Sequence, residues 1–351
     1  MQLSPVGHPL HTRVLDLEIR AAGGAALEVA AELLDVRKRG FVPVAGKLQT
    51  AGPVHHMRIE ARIDAGGRCF EAIRSTMPRV AFESSEITAG ESCRDVEDRL
   101  ATLSGRPLTA FSRVLSETFG GPRGCSHVLS LARLVASSAA WLLDRERPLA
   151  TRRAGELVFD RTLVIDGSDG GDGTLDLALQ QTDLHCRAAA PLAPPMERFG
   201  RQLELRAQAS VDLAAAALTR ASGGVRERDA ETLETARFQP LDRRLEVLIG
   251  HSLFQGFAAR CLDAFGADPV DAPVLDGLLN LAPAFTQCMG SMSEDWPAAA
   301  RRSGSRIGTG GHPDACYMWR RDGALGRQLA GELAEGRAFF RARAGRRSDG
   351  A

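Results

Sequence analysis

An internal repeat constrains the fold of this chain of 351 residues more than any other feature. When Arg13 is set on Arg161, at an offset of 148 residues, Asp35 falls on Asp183 and several leucine and alanine positions match. Further along, phenylalanine, glycine and leucine positions match at offsets of 145 and 146 residues. We interpret the chain as two copies of one domain. The predicted parts are an N-terminal arm (1–12), a first copy (13–144), a linker (145–158), a second copy (159–290) and a C-terminal segment (291–351).

Each copy changes from a strand pattern to a helix pattern along its length. Apolar and polar residues alternate in 13–19 and 27–36 on either side of a glycine-containing turn, which predicts a β-hairpin. Residues 57–63 and 69–73 predict two further strands, and apolar residues then recur at helical spacing, most clearly over 127–143. The sequence therefore predicts an α+β fold, in which a duplicated domain has an antiparallel sheet followed by helices and the second copy is degenerate.

Composition narrows the function. The 44 basic residues balance 44 acidic ones, so we expect no nucleic-acid partner, because such proteins usually carry a concentrated basic face. No apolar run approaches 18 residues and the first residues lack a signal-peptide pattern, so we expect no membrane partner and a cytoplasmic location. The seven cysteines are an odd number in a long chain, which predicts reduced thiols.

Histidines and cysteines gather at the joints between the predicted elements of the first copy. His55 and His56 precede a strand, Cys93 follows the sheet, and Cys125 and His127 lie at the start of a helix. If these joints meet, they form a mixed His/Cys site of the kind that binds zinc or iron. We assign His55, Cys93 and Cys125 as metal ligands, and His56, His127 and Cys125 as catalytic residues.

Other candidates are weighed against simple packing. Asp35 and Cys316 are possible additional site residues, and a helix N-terminus would lower the pKa of the Cys125 thiol. We expect the remaining cysteines to be small buried apolar residues and three histidines to be surface or capping residues. These two groups are Cys69, Cys186, Cys261 and Cys288, and His8, His11 and His251.

The second copy lacks every candidate ligand, which is expected if one copy holds a site and the other became a structural partner. The aligned positions carry Arg201 and Gln202 for the two histidines, Phe238 or Gln239 for Cys93, Asp271 for Cys125 and Pro273 for His127.

The C-terminal segment contains the motif His312-Pro313-Asp314-Ala315-Cys316-Tyr317-Met318-Trp319-Arg320-Arg321-Asp322-Gly323 after a glycine-rich run. We predict that this segment folds back onto the first copy and brings Cys316 to its site. A separation of more than about 15 Å between Cys316 and Cys125 exceeds any metal-site dimension and would contradict this.

These motifs resemble a bacterial family of uncharacterised domains. The matching segments are 53–57 (PVHHM), 93–103, 120–128 (GGPRGCSHV) and 316–323, and the family signature is P-V-H-D-M, a later Cys, R-G-C-T-H-L and C-H-A-L-x-x-D-G. This chain departs from the signature at His56, Ser126 and Tyr317. The signature is similar, more faintly, to the NifU/SufU/IscU-like scaffold, which implies a sheet followed by helices, with ligands at His55 or His56, Cys93 and Cys125.

Three functions remain open. The first is a metal-dependent catabolic enzyme, a lyase acting on a small aromatic, acyl or aldehyde substrate with a His/Cys-bound zinc or iron as Lewis acid. The resemblance to the bacterial family favours this catabolic role. The second is a non-catalytic iron–sulfur or sulfur carrier, which the scaffold resemblance implies. The third is a metal-free hydrolase or thioesterase with Cys125 as nucleophile, ranked last because residues two positions apart rarely face each other. A homo-oligomer is compatible with all three.

Overall fold

A computed structural model of the chain describes residues 7–44, 47–145, 152–171, 173–190, 192–213, 215–291, 313–328 and 330. Its strands form one antiparallel sheet in the order β4-β3-β2-β1-β5-β6-β7-β8-β9. The strands are β1 (His8–Gly23), β2 (Ala26–Val44), β3 (Lys47–Asp64), β4 (Cys69–Arg79), β5 (Leu157–Gly171), β6 (Thr174–Cys186), β7 (Phe199–Asp212), β8 (Ala217–Asp229) and β9 (Gln239–Pro240).

Helices follow each set of four long strands. After β4 come a 3₁₀ helix (Cys93–Leu103), α1 (Leu108–Phe119) and α2 (Ser126–Arg145). The second half contains α3 (Pro195–Arg198), α4 (Asp242–Leu245), α5 (Phe257–Phe265), α6 (Ala272–Leu279) and α7 (Leu281–Ser291), and a short 3₁₀ helix (Tyr317–Trp319) lies near the end. The predicted α+β character, with antiparallel strands followed by helices, is confirmed. The strands of both halves, however, form one sheet and not one sheet per copy, and the first helical stretch is a 3₁₀ helix rather than an α-helix.

The alternation of apolar and polar residues gives the sheet one buried and one solvent-facing side. In β1, Leu15, Leu17 and Ile19 are fully buried, whereas Asp16 between them is exposed. The helices cover the buried side, with α2 against β1 to β3 and α7 against β1, β2, β5 and β6. Because α7 packs on β1 and β2 of the first half as well as on β5 and β6 of its own, both halves share one hydrophobic core.

The two halves repeat the same strand register. Arg13 pairs with Asp35 between β1 and β2, and Arg161 pairs with Asp183 between β5 and β6, again at an offset of 148 residues. Opposite Asp35 on β3 lies His55, and opposite Asp183 on β7 lies Leu203. The alignment of Arg201 and Gln202 with the histidines therefore differs from this register, in which Leu203 takes the position of His55.

Irregularities in the sheet repeat at the same offset. The β1–β2 pairing shifts between Ala21 and Gly23, and the β5–β6 pairing shifts between Asp169 and Gly171. The β3–β4 pairing shifts between Arg62 and Ile63, and the β7–β8 pairing shifts between Ser210 and Val211. In the helical layer, α6 and α7 together span 272–291 with a break at Asn280, while α2 spans 126–145 without interruption.

Part of the predicted linker lies outside the described residues, since 146–151 are not described, and β5 already begins at Leu157. Within the described residues, α2 is the single helix long and apolar enough to cross a membrane, and 67% of its most apolar window is buried inside the protein. Buried core helices have the same length and composition, and the burial of α2 indicates that it is a core helix.

The described part of the C-terminal segment packs against the first half. The backbone N–H of Tyr317 donates to the carbonyl oxygen of Gly124, at 2.8 Å. Met318, Trp319 and Leu325 form a small apolar cluster with Phe82, which follows β4, and the Trp319 and Phe82 rings meet edge to face at 5.4 Å. His312 lies outside the described residues.

Candidate active site

A buried carboxylate, Asp35 of β2, lies at the centre of the site. Arg13 of β1 donates two parallel hydrogen bonds to it, from Nε to Oδ1 at 3.1 Å and from NH2 to Oδ2 at 3.0 Å. His11 Nε2 lies 3.0 Å from Oδ1. Burial by itself would raise the pKa of Asp35, but the Arg13 guanidinium and the hydrogen bonds from His11 and His127 hold it well below its usual range. Asp35 is therefore ionised at neutral pH.

Two imidazoles face the same oxygen atom of Asp35. His127 Nε2, from the first turn of α2, lies 3.2 Å from Oδ2, and His55 Nδ1, from β3, lies 3.7 Å from it. The two rings stack with their centroids 3.8 Å apart. In the described parts of the chain, only one group of three His, Cys, Asp or Glu side chains has its ligand atoms all within 4.8 Å of one another. It consists of Asp35, His55 and His127.

Both imidazoles are buried and neutral. Burial lowers the pKa of His55 well below its usual value, with a further contribution from His127, and burial also lowers the pKa of His127. His55 Nδ1 has no hydrogen-bond partner although it is buried. A neutral imidazole nitrogen that is buried without a partner has a lone pair or a proton available for a ligand.

His127 also contacts the thiol of Cys125. Cys125 Sγ lies 3.6 Å from His127 Nδ1, so these two side chains face each other despite being two residues apart. The expectation that such neighbours do not meet was wrong, because Cys125 precedes the first turn of α2 and its side chain lies beside that turn. The expected low thiol pKa was also wrong: burial raises the pKa of Cys125 to about 12, outweighing the helix-terminal N–H groups of His127 and Val128.

A cavity of about 100 Å³ lies beside this cluster. Cys93 and Cys316 line it together with Cys125, and burial raises the pKa of both these thiols. Cys93 and Cys125, which were predicted as metal ligands with His55, are thus near it, but their sulfur atoms are not part of the group of close ligand atoms. The apolar walls of the cavity come from Val54, Met57 and Phe82 of the first half and from Met318 and Trp319 of the C-terminal segment.

His56 does not share the site. Adjacent residues of a strand point to opposite sides of the sheet, so the His55 side chain faces the helices and the His56 side chain faces solvent. His56 Nε2 instead pairs with Glu32 at 3.0 Å on the solvent-facing side. The assignment of His56 as a catalytic residue is therefore corrected.

Several residues of the site escaped the sequence analysis. His11 was expected at the surface but is 1% exposed. Arg13 was recognised only as a matching position of the repeat, because its pairing with Asp35 depends on the strand register. Gln287 comes from α7 in the second half, and its Nε2 lies 3.1 Å from His127 Nε2. Arg37 lines the cavity two residues after Asp35 on the same side of β2, a spacing that could have been noticed.

The second half retains the arginine–aspartate pair in a closed form. Arg161 donates to Asp183 from Nε and NH2, at 2.7 and 2.6 Å. Its NH1 donates to Asp276 of α6 at 2.6 Å and to Ser138 of α2 at 2.9 Å. In the first half, the corresponding NH1 of Arg13 is buried without a partner. The nitrogen that has no partner at Arg13 therefore has two partners at Arg161.

The fold and the site define a protein with one continuous antiparallel sheet and a buried His/Asp/Cys cluster beneath its helices. A sequence family described as "Protein of unknown function (DUF2889)" matches residues 11–140, which carry Asp35, His55, Cys93, Cys125 and His127. This agrees with the expected resemblance to an uncharacterised family. The match does not extend to the C-terminal motif. No curated protein and no solved structure matches the chain.

All seven cysteines are free thiols in the structure. Cys93, Cys125 and Cys316 line the cavity. Of the four cysteines that were expected to be buried packing residues, Cys186, Cys261 and Cys288 are buried, whereas Cys69 is only partly buried.

Proposed function

We propose that this chain is a metal-dependent enzyme whose metal ion is bound by Asp35, His55 and His127. The observation that carries the proposal is the convergence of three ligand atoms, from β2, β3 and α2, within 4.8 Å of one another. Three protein ligands leave a coordination position open for substrate or water, which is typical of catalytic rather than structural sites.

The surroundings of the three residues fit a metal site. Imidazoles must be neutral to bind a metal, and the lowered pKa values of His55 and His127 keep them so. The Arg13 and His11 hydrogen bonds to Asp35 orient the carboxylate, as partners of metal ligands commonly do. Two imidazoles and one carboxylate suit zinc or ferrous iron.

The chemistry we propose is Lewis-acid catalysis on a small acyl, aldehyde or aromatic compound, of the lyase type. A bound metal would polarise a carbonyl or enolate oxygen of the substrate. Trp319, Met318 and Phe82 would exclude water from the cavity, and Cys125 would lie beside the reacting group. The free thiols suit a reducing compartment, so we propose a cytoplasmic location.

Metal analysis of protein purified without oxygen tests the proposal. We expect about one zinc or iron per chain in the wild type and its loss in His127→Ala. His56→Ala is the matched control, because this neighbouring histidine faces solvent, and it should retain the metal. Cys125→Ala should also retain it, whereas metal loss in this variant would restore Cys125 as a ligand. Absence of metal from all variants would contradict the proposal.

A specific contact favours a second candidate, a metal-free cysteine enzyme. Cys125 Sγ lies 3.6 Å from Nδ1 of His127, and Nε2 of the same imidazole lies 3.2 Å from Asp35 Oδ2. In such an arrangement the thiol attacks an acyl carbonyl while Nδ1 takes its proton, and the carboxylate stabilises the imidazolium. The bond to the leaving thiol or alcohol then breaks as the imidazolium returns the proton to it, and water hydrolyses the acyl-enzyme. A thioester or ester would be the substrate.

The two candidates require different tautomers of His127. Metal binding needs the lone pair on Nε2, so the proton lies on Nδ1, while a cysteine enzyme needs Nδ1 free and the proton on Nε2. Thioester hydrolysis by metal-free protein that disappears in Cys125→Ala would favour the second candidate. Sulfide accompanying iron in the purified protein would instead support an iron–sulfur carrier.

We also propose that the second half is a degenerate duplicate of the first. The shared register and the repeated shifts in strand pairing, all at an offset of 148 residues, support a common origin. In the second half, Leu203 lies opposite Asp183, and Asp276 binds Arg161. These residues close the polar cluster that is open in the first half. The proposed likeness to the NifU/SufU/IscU-like scaffold has no matching solved structure behind it.

A further inference from the structure

Arg37 is a buried cation at the edge of the candidate site. Arg37 is 6% exposed, and it lines the same cavity as His55, Cys125 and His127. Because Arg37 follows Asp35 by two residues on β2, both side chains lie on the helix-covered side of the sheet. The guanidinium is therefore beside the cluster without being part of it.

Arg37 differs from the other buried arginines of the described chain in having no carboxylate partner. Arg13 pairs with Asp35, Arg161 with Asp183 and Asp276, and Arg152 with Glu156. The hydrogen bonds of Arg37 go to neutral acceptors: NH1 donates to the backbone oxygen of Gln49 at 3.2 Å and NH2 to its Oε1 at 3.3 Å. Its Nε is buried without a partner.

Arg37 therefore has no counter-charge among the described residues. The one carboxylate of the neighbouring cluster, Asp35, is already bound through both oxygen atoms by the Arg13 guanidinium. Burial alone lowers the pKa of Arg37, but an arginine stays charged at neutral pH. A buried charge without a counter-charge is costly, which favours binding of an anion in the cavity.

Arg37 is also held in place for a ligand. Gln49 Nε2 donates to the carbonyl oxygen of Ala81 at 2.8 Å, so the amide that holds Arg37 is itself fixed. Gln49 accepts one N–H from each terminal nitrogen of Arg37. Three of the five guanidinium N–H groups, including Nε–H, therefore remain for a planar acceptor. Two parallel N–H groups match the two oxygen atoms of a carboxylate.

We propose that Arg37 binds the carboxylate group of the substrate. A cavity of about 100 Å³ has the volume of a few water molecules, so the substrate, or the part of it that enters, is a small organic acid. Its acid group contacts Arg37 and its remaining atoms lie between His127, Cys125 and the Trp319 wall. This deepens the proposed function by naming the substrate class, and it rests on that function only for the reaction, since anion binding requires no metal.

The test uses full-length protein freed of metal by chelation, with acetate, propionate, benzoate and inorganic phosphate as probes. Calorimetry and thermal unfolding at neutral pH should show binding of at least one carboxylate to the wild type. Arg37→Met should weaken that binding at least tenfold, and Arg37→Lys should weaken it less, because it keeps the charge but loses the two-pronged donor. Arg58→Met is the control, since Arg58 lies on the solvent-facing side of β3, and it should bind as the wild type does.

The unliganded proteins give a second readout. Arg37→Met should unfold at a higher temperature than the wild type, because it removes an unpaired buried charge, and carboxylates should no longer raise that temperature. If Arg37→Met fails to fold, the Arg37→Lys comparison still decides the matter. Equal carboxylate binding by the wild type and Arg37→Lys, no binding by the wild type, or binding of phosphate alone would overturn the proposal. Carboxylate binding through Arg37 in a protein that never binds metal would leave it standing while the metal proposal fails.

Discussion

At the scale of single residues, the site depends on a salt bridge that is fully buried. Arg13 and Asp35 are both 0% exposed, and the pair recurs as Arg161 and Asp183 in the second half. Buried ion pairs contribute little net stability relative to apolar residues, but removing one partner leaves an isolated charge. In the first half the same carboxylate also orients two imidazoles, so its loss should have two separable effects.

Asp35→Asn should lower the free energy of unfolding by about 3 to 5 kcal/mol, because it leaves the Arg13 guanidinium buried without a counter-charge. Urea unfolding measures this. Asp183→Asn is the matched variant and should lose less stability, because Arg161 keeps Asp276 as a counter-charge. Only Asp35→Asn should lose bound metal, and equal metal contents in the two variants would argue against Asp35 as a ligand.

Gly124 allows the turn before α2 to pass close to Phe119. A Cβ atom at this position would lie 2.3 Å from the Phe119 carbonyl oxygen and 2.5 Å from its ring. Gly124→Ala should therefore displace Cys125 and His127, lowering stability by about 1 to 3 kcal/mol and reducing metal content. Gly66→Ala in the turn after β3 is the control, because a Cβ there meets only the Asp64 carboxylate, at 3.4 Å, and both properties should stay near wild type. Similar effects of the two changes would contradict this account.

At the scale of secondary-structure elements, the sequence predicted element types better than their contacts. Alternation predicted the strands, although they extend further than expected, with β1 from His8 to Gly23. Periodicity also indicated α2. Periodicity could not show that His56 points away from Asp35 and His127, because this depends on the strand register. Nor could it show that Gln287 of α7 reaches His127, because this depends on where the helix packs. Asp35 was only an additional candidate because a single aspartate in a strand carries no motif.

The contact between α6 and β5 should make stability depend on pH through Asp276. Burial raises the pKa of Asp276 to about 6, despite the nearby Arg161 guanidinium. The folded protein therefore holds a proton that the unfolded chain releases near pH 4, so this contribution is complete below pH 4 and is lost as pH rises through 6. Between pH 4.5 and 7 the wild type should lose about 2 kcal/mol relative to Asp276→Asn in urea unfolding. Parallel pH profiles for the two proteins would refute the assignment.

The C-terminal segment should detach when its apolar cluster is weakened. Trp319→Ala removes the ring that packs on Phe82, and it should expose Cys93 and Cys316 to alkylation without unfolding the sheet. Mass spectrometry after iodoacetamide treatment measures the labelling. Trp141→Ala in α2 provides a comparison, since it should instead lower global stability, by about 3 to 5 kcal/mol. Unchanged labelling of Cys93 and Cys316 in Trp319→Ala would show that the segment is held by other contacts.

At the scale of the whole molecule, the two halves share one sheet and one hydrophobic core. β1 and β5 pair along most of their lengths, with Leu15 opposite Leu163 near the middle, and α7 packs on strands of both halves. The two halves that the sequence repeat defines therefore lie in one sheet and not in two separate domains. Gln287 of the second half contacts His127 of the first, so the site itself spans both.

A core change in one half should therefore loosen the other. Leu163→Ala in β5 removes a fully buried side chain and should cost about 2 to 5 kcal/mol. Hydrogen exchange should speed up in β1 and β2 as much as in β5 and β6, since both open in the same event. Faster exchange confined to the second half would indicate two independent folding units.

X-ray absorption spectroscopy at the metal edge tests the central claim most directly, because it reports which atoms hold the metal. Binding by Asp35, His55 and His127 predicts nitrogen and oxygen neighbours at about 2.0 to 2.2 Å, with imidazole scattering beyond them and no sulfur neighbour. The spectrum should be unchanged in Cys125→Ala. Sulfur neighbours at about 2.3 Å would place the metal on the thiols instead and contradict the account.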